Sequence, residues 1–98
     1  MLHEEVVYTI PQTRERVRGR KDYTDFNATF PGDWHVEINH SVTEEHQGVS
    51  LTTFRLGDQA QTCITFFDFE DGLIHRIVDY WPEPYEPPAR MSKYVERY

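Results

Sequence analysis

Cysteine is nearly missing from this 98-residue sequence. Cys63 stands alone, so no disulfide can close within the chain, and a reducing compartment, the cytoplasm, is the expected setting. Long apolar runs are missing too. None approaches the roughly 20 residues that a membrane-spanning helix requires, and Met1-Leu2-His3-Glu4-Glu5 lacks the charge pattern of a signal peptide, so no membrane partner is expected. Basic residues are few: ten Lys and Arg face seventeen Asp and Glu, for a net charge of −7. Nucleic-acid binding depends on neutralising phosphates, and so acidic a chain argues against it.

Half of the ten bases are concentrated in Arg14, Arg16, Arg18, Arg20 and Lys21. No aromatic residues are interleaved there, as they would be in a platform that stacks single-stranded bases. The stretch reads as a solvated loop leading into a helix, with attraction of an anionic substrate or an acidic partner as the alternative.

Several catalytic signatures are absent. No G-x-S-x-G, phosphate loop or dinucleotide fingerprint occurs. The histidines His3, His35, His40, His46 and His75 show no H-x-H or H-E-x-x-H spacing, and His35 and His40 fall on opposite faces of one strand, so no metal centre is expected. Cys63 lies in a predicted strand beside an apolar residue, where a thiol acts as a small hydrophobe; a nucleophile would need a neighbouring base and a lowered pKa.

Aromatic residues, by contrast, number fourteen, and each can bury a large area. The length suits one domain over residues 1–98, with a small core that needs no staples. Glu5 to Ile10 reads as a strand with Val6, Tyr8 and Ile10 on one face, and Pro11 ends it. Tyr8 carries a hydroxyl on an apolar body, either a core tyrosine with its tip at a rim or a ligand contact. From about Gly19 to Phe30 the spacing of Tyr23, Phe26 and Phe30 predicts a helix stopped by Pro31-Gly32. Trp34 to Val42 alternates, placing Trp34, Val36, Ile38 and Val42 on one face together with His40, while His35 and Glu37 look outward. Val49 to Leu56, Thr62 to Phe69 and Leu73 to Trp81 complete the predicted sheet of five or six strands.

The last two strands are the most informative stretch. Asp71-Gly72 between β-branched and aromatic runs is a strong hairpin signal. Strict alternation then puts Ile74, Arg76, Val78 and Tyr80 on one face and His75, Ile77, Asp79 and Trp81 on the other. Beyond Trp81, four prolines forbid ladder bonds and give residues 82–98 the character of an extended arm. Met91, Tyr94, Val95 and Tyr98 are spaced for a short amphipathic turn or helix, packed on this chain's sheet or a neighbour's.

The pattern F-x-F-x-D-G-L-I-x-R-I-x-D-Y-W over residues 67–81, followed by P-E-P-Y-E-P-P-A, resembles the closing strands of the SnoaL-like branch of the nuclear transport factor 2-like superfamily. Val7 to Thr13, Arg18-Gly19-Arg20 and Phe26 to Trp34 resemble that branch in the expected order, so the likeness runs from about residue 5 to the end. It implies an α+β, cystatin-like cone: a strongly curved, mostly antiparallel sheet around a pocket, with one main helix. The helices that usually lead this family have no counterpart in the sequence, which implies a shortened product or an open face covered by another copy. It also implies a homodimer formed through convex faces.

The superfamily includes isomerases, cyclases, epoxide hydrolases and non-catalytic binders, so the fold does not fix an activity. In the resemblance, Asp79 falls where catalytic members carry an acid/base carboxylate. A carboxyl in an apolar pocket is desolvated, which favours its neutral form and suits proton exchange. The R-x-D pair of the epoxide hydrolases is not matched by Arg55 and Asp58. The resulting expectation is a small hydrophobic ligand in a pocket lined by Phe26, Trp34, Val36, Ile38, Phe67, Ile77 and Trp81. Asp79 would be the acid/base and Tyr8 a hydrogen-bond donor, and no cofactor is required for proton transfer. The alternatives are a non-catalytic binding or dimerisation module and an inactive fragment of a longer protein, with Asp79 held by a tyrosine, Trp81 or the arm in a structural role.

Overall fold

The computed structural model describes residues 1–89 and 93–98. Among them, six strands and one helix follow in the order β1 (Leu2–Ile10), β2 (Glu15–Arg18), α1 (Arg20–Ala28), β3 (Trp34–Thr43), β4 (Gln47–Leu56), β5 (Gln59–Glu70) and β6 (Leu73–Tyr80). The strands form one open sheet in the order β2-β1-β6-β5-β4-β3. Every neighbouring pair is antiparallel except β1 with β6, which run parallel. This is the expected α+β architecture with one main helix.

The Asp71-Gly72 turn forms as predicted. Both residues have positive φ, 52° and 76°, as a two-residue loop matched to the twist of its strands requires, and Glu70 pairs with Leu73. The register then slips. Phe69 pairs with Ile74, but Asp68 pairs with Arg76, which leaves His75 as an extra residue on β6. The bulge overturns the simple alternation expected for β6. Ile74 packs against the core cluster, on the same side as Ile77, while His75 turns toward the edge of the His3 ring and the Glu70 carboxylate.

A second bulge lies between Ile38 and His40 on β3. Paired side chains share a face. Val36 and Ile38 therefore sit with Phe54 and Thr52, but beyond the bulge Ser41 joins Ser50, and His40 and Val42 go with Leu51 and Val49 on the opposite face. The expected placement of His40 and Val42 beside Trp34 is thus corrected. Bulges bend the strand that carries them, and a third irregularity, between Leu2 and Val7 on β1, adds to the curvature.

The arginine-rich stretch is not only a loop. Residues 15–18 form β2, an edge strand whose Val17 lies opposite Tyr8 and packs against the core. Arg14, at φ 62°, closes the connection from β1, and the Gly19 amide donates to the Val6 carbonyl at 2.7 Å. Charge hid the strand: only Val17 in this stretch carries a β-type signal, and pairing with β1 overrides the rest.

Helix α1 follows at once. A Lys21–Asp25 pair of 2.9 Å joins successive turns, and the Thr29 hydroxyl and amide both donate to the Asp25 carbonyl where the helix ends. Nine residues make a marginal helix in isolation, so its stability comes from packing. It packs on β1 and β2, and there Val6, Tyr8 and Ile77 form the buried cluster, with Tyr23 and Phe67 against it. Among the described residues no helix packs on the β3–β4 half of the same face, which leaves a hollow.

Residues 82–89 are exposed and adopt neither helix nor strand. Of the amphipathic set expected in the tail, Met91 lies outside the described residues, Lys93 and Tyr94 form a turn, and Val95 to Tyr98 show no helix. Tyr85 and Tyr98 are exposed rather than packed on the sheet, and Arg97 reaches back to Glu86 at 3.3 Å.

Candidate functional site

The hollow is a cavity of about 600 Å³ between α1 and the inner face of β3–β6. Its floor follows from the register. Phe67, Ile77 and Tyr8 form an apolar rung across β5, β6 and β1. Beside it runs a polar rung of Ser50, Thr65 and Asp79, followed by Ile38, Thr52 and Cys63, and then Val36, Phe54 and Gln61. The candidates Phe26, Trp34, Val36, Ile38, Phe67, Ile77 and Trp81 all line the cavity, as do Tyr8 and Asp79.

A chain of rings forms the walls. Tyr8 lies 5.1 Å from Tyr23 and 5.8 Å from Phe26, centroid to centroid. Phe26 leads to Phe30 at 6.5 Å, and Phe30 to Phe54 at 5.8 Å. Phe54 stacks on Trp34 at 5.9 Å and meets the edge of Trp81 at 5.6 Å. Trp81 is held in the cavity wall by Gln12, whose side chain accepts from the Trp81 amide and donates to its carbonyl.

Asp79 is the half-buried acid of this face. Tyr8 donates its hydroxyl proton to Oδ2 at 2.6 Å, and Thr65 donates to Oδ1 at 2.6 Å. Both bonds are as short as hydroxyl–carboxylate bonds normally become. Tyr8 therefore holds the carboxylate while its own proton is committed. Burial, the bond to Asp79 and that carboxylate's charge all push the Tyr8 phenol far above its ordinary value. Burial also raises the Tyr23 phenol, while a hydrogen bond from Asn27 acts in the opposite sense.

Thr65 was not foreseen. With Glu70 opposite Leu73 and no bulge, Asp79 would face Ile64; the extra residue His75 brings Thr65 opposite it instead. Nothing in the sequence marks that slip. Thr65 also extends the network. Its single proton goes to Asp79, so the Cys63 thiol, 3.5 Å away, is the donor to Thr65. Among the described residues no group of three or more His, Cys, Asp and Glu is brought together as a metal site.

Cys63 lines the cavity as a thiol. Burial pushes it up to about 11 from an ordinary 9.0, with the Asp79 charge reinforcing the rise. Alkylation of folded protein by iodoacetamide is therefore expected to be slow near pH 7 and to accelerate as pH climbs toward about 11, measured by intact mass against a denatured control. The sign for stability follows. The unfolded thiol loses its proton first, so this contribution is intact below about pH 9 and is lost as pH rises toward about 11.

A family model described as a SnoaL-like domain matches residues 1–77. A Kribbella flavida structure described as a "putative ketosteroid isomerase" is 39% identical, with a TM-score of 0.93, covering 99% of this chain and 72% of its own. An NTF-2 like protein of unknown function from Burkholderia xenovorans is 18% identical, with a TM-score of 0.82, over 99% of this chain and 77% of its own. A Catenulispora acidiphila protein with a ketosteroid isomerase-like fold, in complex with trimethylamine, is 14% identical, with a TM-score of 0.70, over 81% and 68%. These last two likenesses concern the fold. No curated protein gives a significant match.

Proposed function

The chain belongs to the SnoaL-like family, and from that premise we propose that it binds a small, largely apolar molecule bearing a carbonyl or ring oxygen, on which Asp79 moves a proton. The observation that carries this reading is the Asp79 carboxylate, fixed by Tyr8 and Thr65 at 2.6 Å each on the wall of an otherwise mostly apolar and aromatic cavity. The trimethylamine of the Catenulispora acidiphila neighbour supports a small-molecule occupant.

In the proposed step, Asp79 takes a proton from a carbon next to the carbonyl; the C–H electron pair forms a carbon–carbon double bond to the carbonyl carbon, and the C=O π pair moves onto the oxygen. Protonation of Asp79 frees the Tyr8 hydroxyl to turn and donate to that oxygen. Asp79 then returns the proton to the same or a conjugated carbon, as in an isomerase or cyclase. No cofactor takes part. The test is incubation of the protein with small cyclic ketones in D₂O. Deuterium entering the carbon next to the carbonyl, followed by mass spectrometry, supports the reading, and uptake equal to the buffer blank sinks it.

A non-catalytic binder is the second reading, favoured by the fact that both oxygens of Asp79 already hold hydroxyl partners. Binding of a ketone without deuterium uptake would select it.

The same proposal includes a homodimer. On the outer face, His40, Leu51, Ile64 and Tyr80 form one rung, and Val42, Val49, Phe66 and Val78 another. Leu51, Phe66, Tyr80 and Val42 are exposed, and Phe66 meets the edge of Tyr80 at 6.0 Å. The Glu37–Arg55 and Asp68–Arg76 pairs supply both signs of charge on that face, which suits a two-fold axis. Light scattering is expected to give twice the monomer mass, and Phe66→Glu to return it to the monomer. Among the described residues no helix is long and apolar enough to cross a membrane. Cys63 as a buried free thiol supports a reducing compartment such as the cytoplasm.

A further inference from the structure

The charge inside the cavity is of one sign. Asp79 and Glu83 line it, and among the described residues no Lys, Arg or His does. The partners of Asp79 are hydroxyls, which orient a carboxylate without cancelling its charge. Among the described residues neither acid takes part in an ion pair. The chain as a whole, at a net charge of −7, adds to the negative field.

Rings make up much of the remaining lining, beside aliphatic residues and uncharged polar groups such as Ser50, Thr52 and Gln61. An aromatic face attracts cations through its quadrupole, more strongly when both are shielded from water. Phe54 meets Phe30, Trp34 and Trp81 within 6 Å, and all four rings line the cavity. A neutral apolar molecule would gain from the rings alone and leave the carboxylate without a countercharge. An anion would be repelled by both. A molecule that is apolar and positive satisfies the walls and the acid together.

From this complementarity we infer that the cavity selects an organic cation: a hydrophobic amine in its protonated form, or a quaternary ammonium, with the charge directed toward Asp79 and flanked by aromatic faces. The inference rests on the reading of the cavity as the ligand site and is independent of the proton-transfer step. A carbonyl or ring oxygen elsewhere in the same ligand is compatible with it. The acids set the sign of the ligand's charge, and the rings set its apolar character.

Three probes of nearly equal size separate the cases: benzyltrimethylammonium, its neutral carbon isostere neopentylbenzene, and the anion phenylacetate. Binding is read from indole NMR shifts of Trp34 and Trp81, which line the cavity. The ammonium is expected to bind about tenfold more tightly than the neutral isostere, and phenylacetate more weakly than either. In Asp79→Asn the preference should shrink while binding of the neutral probe persists. If that variant does not fold, added sodium chloride on the wild-type protein serves instead, weakening the ammonium alone. Equal affinity for the ammonium and its isostere overturns the inference and leaves the cavity reading standing. Absence of binding by all three overturns the cavity reading and the inference with it.

Discussion

Asp79→Asn is expected to lower deuterium uptake by a responsive ketone by roughly 10²–10⁴-fold, the usual worth of a positioned general base. An amide cannot accept the proton. It also holds the two neighbours differently: it presents one acceptor oxygen and one donor nitrogen, so one of the Tyr8 and Thr65 hydroxyls must change from donor to acceptor. The proton of that hydroxyl loses its acceptor, at a stability cost of about 1–3 kcal/mol. Tyr8→Phe and Thr65→Val provide the comparison. Each removes one bond to Asp79 and keeps the base, so each should retain part of the uptake, and Thr65→Ser should restore what Thr65→Val loses. Uptake unchanged in Asp79→Asn, with circular dichroism showing the fold intact, would remove Asp79 from the chemistry.

Ile77→Ala is expected to destabilise the chain by about 2–5 kcal/mol, read from the urea midpoint at constant slope. Ile77 is 3% exposed and lies between Tyr8 on β1 and Phe67 on β5, within the cluster that also holds the fully buried Val6. A domain of this size has about 5–15 kcal/mol in total, so the loss is a large share of its stability. Val6, Tyr8 and Phe67 pack round Ile77, and each is held within a strand, so the space left by truncation closes only in part. Tyr8, directly opposite Ile77 in the same rung, loses a packing partner as well. A midpoint within error of the wild type would mean that the cluster is not where the fold's stability resides.

Much of this was legible from residue order. The Asp71-Gly72 hairpin, the stripe of Tyr23, Phe26 and Phe30, and the clustering of Asp79 with Ile77 and Trp81 all follow from local spacing, which turn chemistry and side-chain period fix. The exceptions share one cause. His75 and Asn39 lie at bulges, where a strand takes in one residue more than its partner, and from there onward the period is displaced. That is why His40 and Val42 left the inner face, Ile74 joined it, and Thr65 came opposite Asp79. Strand β2 escaped notice for a different reason: its four residues are mostly charged, and only the partner strand makes them extended.

The parallel seam between β1 and β6 has a kinetic side. The hydrogen bond from Tyr8 to Asp79 joins residues 71 positions apart in the chain, so it can form only after the N-terminal strand has found the last one. Contacts of such long sequence separation require a large loop to close before they return any energy, and they belong to the slow end of folding. The hairpins of β3 through β6 are local by comparison and can assemble without the N-terminal strand. A chain interrupted at the exposed Gly57-Asp58 turn would have Tyr8 in one piece and both Thr65 and Asp79 in the other. Completion of the carboxylate's hydrogen bonds therefore marks the end of folding, and recovery of ligand binding in a refolding experiment should follow the slowest phase rather than the growth of sheet signal.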